Sequence, residues 1–465
     1  MSFKRYTLTK NTTISTLGIS GNSGASPILN IGGQYDSNKN KKYLYRILAT
    51  IDTNSISSDI INGKIVDITT DSSSSAQLKM FNVLIGEENA YEFNINIFPL
   101  TGKPFSEGRG NKIDTFTQVG YANWLNASST GTWSISGGDY IIDSNSASQY
   151  FETGYENLTA NIKSMINNWL NGSSANYGLI LKMDDTAELL TGSTTTNNQY
   201  YRKSLFSRHT NYQSKYPYVE IYWNGEIRDF RSLITLGNSA NLYFYNIVNG
   251  VLTDIDSIAT KFPGSVTISG ATAGITSTTF SSITASLSAS REKKGIYKIN
   301  FTLPVSANVY NYFKDVWTIT SSMSSLSSSV EQIFLKNSAV GANNSLNVTD
   351  IDIKLRDFKD DLYKNQIIYQ RLYIKSNSQN NLIPLTASVT ALNSLIAEDG
   401  YYKILINKTN EIYVDWQKLE FDSFGNFFII DTDNYAKNVD YKIILKLNYM
   451  GQTFVKEFNK TFKII

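Results

Sequence analysis

The sequence predicts an all-β protein of tandem β-sandwiches: a jelly-roll-like N-terminal unit carrying one short helix, then two immunoglobulin-like units. Three observations carry that reading. Charged residues are 18% of the chain and aromatics 13%, which suits strands with hydroxyl-rich outer faces and leaves helical bundles short of Ala, Glu, Lys and Leu. Period-two alternation recurs, as in Tyr91, Phe93, Ile95 and Ile97 against Glu92, Asn94 and Asn96. Clusters of Asn, Ser and Gly separate these runs and supply the turns. With 465 residues there is chain enough for about two to four domains with cores of their own.

The first unit spans 1–223. Ile28, Leu29 and Ile31 lead a strand that meets Gly32 and Gly33. Next, Tyr43, Tyr45, Ile47 and Ala49 alternate with Leu44, Arg46 and Leu48, so both faces are apolar and the strand is expected to be central. The run of alternation from Tyr91 stops at Pro99. Leu158, Ile162, Met165, Ile166, Trp169 and Leu170 fall on one helical stripe, and Gly172 follows where a helix end tolerates left-handed backbone. A helix this short needs a surface to pack on, and the strands after it, with Leu179, Ile180 and Leu181 and then Tyr218, Val219 and Ile221, provide one.

The second unit, 224–343, is marked by Tyr297, Ile299, Phe301 and Leu303 alternating with polar residues up to Pro304, with further strands around Val266 and Ile268 and from Phe313 to Trp317. Its Ser-rich run at 321–329 reads as a loop or weak edge strand. The third unit, 344–465, has strands around Tyr369 to Lys375, Phe427 to Ile430 and Tyr441 to Tyr449. A hairpin turn at 449–451 leads into a last strand from Thr453. Short strands with frequent turn signals suggest immunoglobulin-like sandwiches in both units.

Within 1–223 the order of these features resembles the DNRLRE family, β-sandwich modules related to carbohydrate-binding modules. The likeness is carried by the strand from Ile28 to Gly33, the strand beginning Tyr45-Arg46 and the aromatic region of Trp124 and Trp133. It continues with the helix end from Ile166 to Gly172, Asn176-Tyr-Gly-Leu and Tyr216-Pro-Tyr-Val-Glu-Ile. The helix end with its Tyr-Gly-Leu strand is the most specific part. The chain departs from the family in a long Ser/Thr/Asn insert after Leu181, where the family has a short turn.

Composition excludes several chemistries. Cysteine is absent, which removes disulfides, thiolate nucleophiles and zinc-finger or iron–sulfur ligation together. The single histidine, His209, leaves one candidate base for a Ser-His-Asp arrangement, and its polar surroundings read as a surface loop. A formal charge of +2 gives no field to steer toward nucleic acid or an anionic membrane. No apolar run approaches the roughly eighteen residues of a spanning helix, so no membrane insertion is expected. The opening MSFKRYTLTKNTT lacks the apolar core of a secretory signal, which predicts synthesis in a cytoplasm.

Two constellations remain as candidate sites. Trp124 and Trp133 bracket a Ser/Gly-rich loop, as a sugar-stacking platform would; core packing is the competing use of such rings. Asp431 and Asp433, with Asn434, could hold calcium through oxygen ligands. The other acid pairs, Asp184-Asp185, Asp350 with Asp352 and Asp360-Asp361, read as loop carboxylates, and neighbours on an extended strand point to opposite faces.

The expected function is therefore structural and non-enzymatic. Serial β modules rich in Tyr, Asn, Ser and Thr resemble accessory proteins of tailed-phage virions: neck, collar, tail, fibre-attachment or capsid-decoration components. Their partners would be other virion proteins in a symmetric multi-copy assembly, with a host surface glycan as a further contact. The alternative is a carbohydrate-binding adhesive surface protein, and after it a glycan hydrolase using carboxylates alone.

Overall fold

The computed structural model describes residues 2–465 apart from 37, 40, 85–90, 112–119, 186, 189–199, 235, 249–250, 256–261, 273–279, 285, 321–327, 336–350, 377–393, 395 and 450–451. The Ser/Thr/Asn insert after Leu181, most of the Ser-rich run at 321–329 and the turn after Tyr449 thus lie outside the described residues.

The protein is all-β, built from paired sheets. In the N-terminal part, one sheet has the order Ser2–Thr7, Tyr218–Trp223, Ser75–Met80, Leu158–Asn161. The facing sheet has the order Tyr200–Phe206, Ile28–Asp36, Lys41–Thr50, Leu179–Met183, Phe93–Pro99, Ala147–Phe151, and Lys10–Ser15 also pairs with Lys41–Thr50. The doubly apolar strand is indeed central: Ile47 pairs with Leu181 on one side and with Thr13 on the other. Between the sheets lies a core with Leu78, Val219 and Ile221 from one side and Ile47, Ile95, Ile97 and Leu181 from the other.

The helix covers Lys163–Leu170 and closes this core with Ile162, Met165, Ile166 and Trp169. It is shorter than its apolar stripe, because Leu158–Asn161 pairs as an edge strand with Ser75–Met80. Gly172 takes a φ of +71°, as the helix end requires. A second helix, Thr53–Ile61, has no counterpart in the sequence reading. Its signal is the Asp52 N-cap, whose carboxylate accepts the N–H groups of Asn54 and Ser55, over a run of weak periodicity.

Further along, Ser239–Tyr245, Ile296–Thr302 and Ser290–Lys293 form one sheet. Ser281–Ser282, Gly264–Ala271, Tyr312–Ile319 and Ser328–Leu335 form the sheet across from it. Phe244 and Phe262 pack against Trp317 in the core between them. In the C-terminal part, Ile351–Leu355, Ile367–Ser376, Gly425–Asp431 and Glu420–Asp422 face the sheet Asp361–Leu362, Gln452–Ile464, Asp440–Tyr449, Asp399–Ile406, Ile412–Lys418. Phe428, Ile404, Ile443, Leu445 and Phe462 fill that core.

Candidate functional site

The strand Ser2–Thr7 lies antiparallel to Tyr218–Trp223 with Arg5 directly opposite Glu220. Alternation sends Tyr6, Val219 and Ile221 into the first core and leaves Phe3, Arg5, Tyr218, Glu220 and Tyr222 on the outer face. The C-terminal unit covers that face, so the chain's first strand and its last unit meet directly.

Arg5 is the hub. Its Nε donates to Glu220 Oε2 at 2.6 Å, its Nη2 to the Tyr413 carbonyl at 2.7 Å and its Nη1 to the Asn434 carbonyl at 3.4 Å. The guanidinium is sandwiched between the rings of Tyr218 and Tyr413, 4.6 and 4.4 Å from their centroids. Lys79 and the Tyr222 hydroxyl both donate to the other Glu220 oxygen. Burial pushes the Glu220 carboxyl up, but Arg5 and Lys79 outweigh it and hold the group below the usual glutamate range. Burial likewise works against the Arg5 charge, and Tyr218, Glu220 and Tyr413 more than restore it. At 1% side-chain exposure, a Glu220 without these partners would be an uncompensated buried charge.

Asn434 continues the strand edge. Its side-chain oxygen accepts the Arg5 N–H at 2.9 Å and its amide donates to the Phe3 carbonyl at 3.3 Å. One carboxamide thus satisfies both free backbone groups that a neighbouring strand would otherwise take. The contact is extended by Lys215 with Glu411 at 2.9 Å and by the Lys437 N–H to Gln213 Oε1 at 3.1 Å.

A second contact runs along residues 227–231. Phe421 N–H donates to the Ile227 carbonyl, and Asp229 N–H donates to the Phe421 carbonyl, both at 3.0 Å. Glu420 accepts the Ile227 N–H at 2.9 Å. Arg231 bridges Asp229 and Asp315, and Asp315 also accepts Trp317 Nε1 at 2.6 Å. Burial raises Asp229 to about 6, with Arg231 pulling the other way.

The sequence-chosen residues take other roles than expected. Trp124 and Trp133 do come together, but in a core with Ile14, Leu48 and Phe98, at 8% and 5% exposure. Trp133 Nε1 donates to the Asn123 carbonyl, and Arg46 stacks 5.1 Å over Trp124. Neither ring offers a face to a sugar, because the loop folds back and packs both. Asp433 and Asn434 lie in the 3-10 turn Thr432–Asn434 at the junction, and Asp431 caps it by accepting the Asp433 N–H. The cation they receive is a lysine: Lys4 Nζ lies 2.6 Å from Asp431 and 3.7 Å from Asp433, while the Asn434 oxygen is taken by Arg5 N–H. That lysine stands where the expected calcium would bind. Among the described residues no group of three or more acidic or imidazole ligands converges.

The other acids serve locally. Asp184 accepts the N–H groups of Asn94 and Ala187, Asp185 pairs with Lys182, and Asp361 pairs with Lys463. Asp350 lies outside the described residues. His209 is a half-exposed loop residue beside Glu107. Sequence reasoning missed Arg5 and Glu220, because alternation with Val219 and Ile221 makes Glu220 read as an outward-facing polar residue.

A cleft of about 220 Å³ remains beside the hub, lined by Phe3, Phe81, Tyr222, Tyr413, Lys79 and Asp415 among others.

No family model and no curated protein matches this chain. Among solved structures, a DUF4785 family protein from Legionella pneumophila is 10% identical, over 100% of this chain and 94% of that one, with a TM-score of 0.16. Trypsin-activated alpha-2-macroglobulin from Escherichia coli is 8% identical, over 90% of this chain and 24% of that one, with a TM-score of 0.17. At these scores neither likeness carries an argument.

Proposed function

We propose that this protein is a non-enzymatic structural component of a tailed-phage virion, acting through docking of rigid β modules on neighbouring subunits. The carrying observation is how the junction spends its charges. Arg5, Lys79 and Glu220 neutralise one another within the first unit, while Lys4 pairs with Asp431 of the last unit and Arg5 also donates to its Tyr413 and Asn434 carbonyls. Such an arrangement fixes the shape of the molecule and leaves those groups no spare valence for chemistry. A rigid body presenting fixed surfaces suits a symmetric assembly, where many weak contacts add through avidity. The absence of cysteine belongs to the same reading, whereas the resemblance of residues 1–223 to DNRLRE modules favours its rival, a carbohydrate-binding surface protein.

One observation favours a second reading, a glycan-binding surface protein. The cleft beside the hub has aromatic walls and polar groups, as a sugar site needs.

Mass spectrometry of density-purified phage particles from the source culture, with peptide counts scaled to the major capsid protein, separates the two. The structural reading expects stoichiometric presence in particles. Absence from particles, with the protein on cells or in medium, overturns it in favour of the glycan reading.

A further inference from the structure

With no cysteine, this chain cannot be stapled by a disulfide. One place in the first unit assembles the parts of a different covalent staple. Lys203, on the strand Tyr200–Phe206, is 2% exposed. Its Nζ donates to Asn82 Oδ1 at 2.7 Å and to the Gly154 carbonyl at 2.6 Å, and it lies 4.8 Å over the Phe151 ring. Both of these hydrogen bonds go to neutral carbonyls, an uncommon setting for a buried ammonium. Burial accordingly lowers the lysine to about 8, against a pull upward from Glu156, so about a tenth is free amine at pH 7.

The backbone holds the two ends in register. Val83 N–H donates to the Ser204 carbonyl at 3.0 Å, and Phe206 N–H donates to the Phe81 carbonyl at 2.9 Å. Asn82 N–H is tied to Asn157 Oδ1 at 2.9 Å. Glu156 supplies the third part. One of its oxygens accepts the N–H groups of Glu152 and Thr153, and the other, Oε2, is buried with no hydrogen-bond partner among the described residues. A lysine held only as a structural donor does not explain the apolar ring beneath the amine.

We infer that Lys203 and Asn82 form an intramolecular isopeptide bond, with Glu156 carrying the proton. The free amine of Lys203 attacks Cγ of Asn82, which lies about 1.2 Å beyond the oxygen it already contacts. The Nζ–Cγ bond forms and the Cγ–Nδ2 bond breaks. Glu156 takes one proton from Nζ and delivers it to Nδ2, which departs as ammonia. Nothing is oxidised or reduced and no cofactor enters. The bond would join the strand Tyr200–Phe206 of one sheet to the chain leaving Ser75–Met80 of the other, tying the sandwich across its open edge.

The test is intact-mass measurement with peptide mapping of the full chain. The expected result is a mass one ammonia below that of the sequence, and one branched peptide linking Lys203 to Asn82. Lys203→Arg and Asn82→Ala should each restore the full mass. Glu156→Gln keeps both ends and should slow bond formation by about a hundredfold or more. The inference is overturned by wild-type protein at full mass with the two residues in separate peptides. Ammonia loss with only unbranched peptides, the mark of a succinimide, overturns it equally. Full-rate bond formation in Glu156→Gln removes that residue from its role.

Discussion

Replacing Arg5 by Ala leaves Glu220 buried with Lys79 as its remaining cation. The expected cost is about 3–5 kcal/mol in urea unfolding, the range for removing one partner of a buried pair. Pairing the change with Glu220→Leu should recover much of that loss, since both buried charges are then gone. The same contact sets an acid limit. Glu220 is held below its unfolded value of about 4.3, so its contribution is complete above that pH and is lost as pH falls through the folded value. The melting temperature of wild type should therefore fall below about pH 4, and the Arg5→Ala, Glu220→Leu variant should fall less.

Among elements, Lys163–Leu170 depends on its apolar face, since eight residues cannot hold a helix alone. Trp169→Ala should cost about 3–5 kcal/mol, read as a lower urea midpoint with unchanged slope. A cost under about 1 kcal/mol would mean that Trp169 is not part of the core. This element also shows what was legible beforehand. Its stripe and its glycine end announced a helix, and Tyr297, Ile299 and Phe301 announced a strand, because periodicity reports which side is buried. Thr53–Ile61 gave little warning: of its residues, only Ile56 is fully buried. The candidate site was hidden for a different reason. Arg5 and Glu220 lie 215 positions apart, and only the sheet makes them neighbours. Trp124 and Trp133 misled because a ring in a core and a ring on a platform have the same sequence signal.

At the scale of the molecule, the three units do not hang as beads. The first strand is held by the last unit through Asn434 and Tyr413, and residues 227–231 are bound to the strand around Phe421. Ile227, Tyr243, Ile296 and Phe427 add an apolar cluster across the second and third units. Closure of this kind removes most hinge freedom, which linkers between free domains would retain. A docking component gains from it, because a rigid partner loses less entropy on assembly.

Small-angle X-ray scattering of the full chain tests that closure most directly, with the charge reversal Arg5→Glu as comparison. Rigid closure predicts that wild type scatters as the single compact arrangement and that Arg5→Glu, still folded by circular dichroism, has a larger radius of gyration. A wild-type curve that needs an ensemble of open arrangements, unchanged by Arg5→Glu, would contradict it.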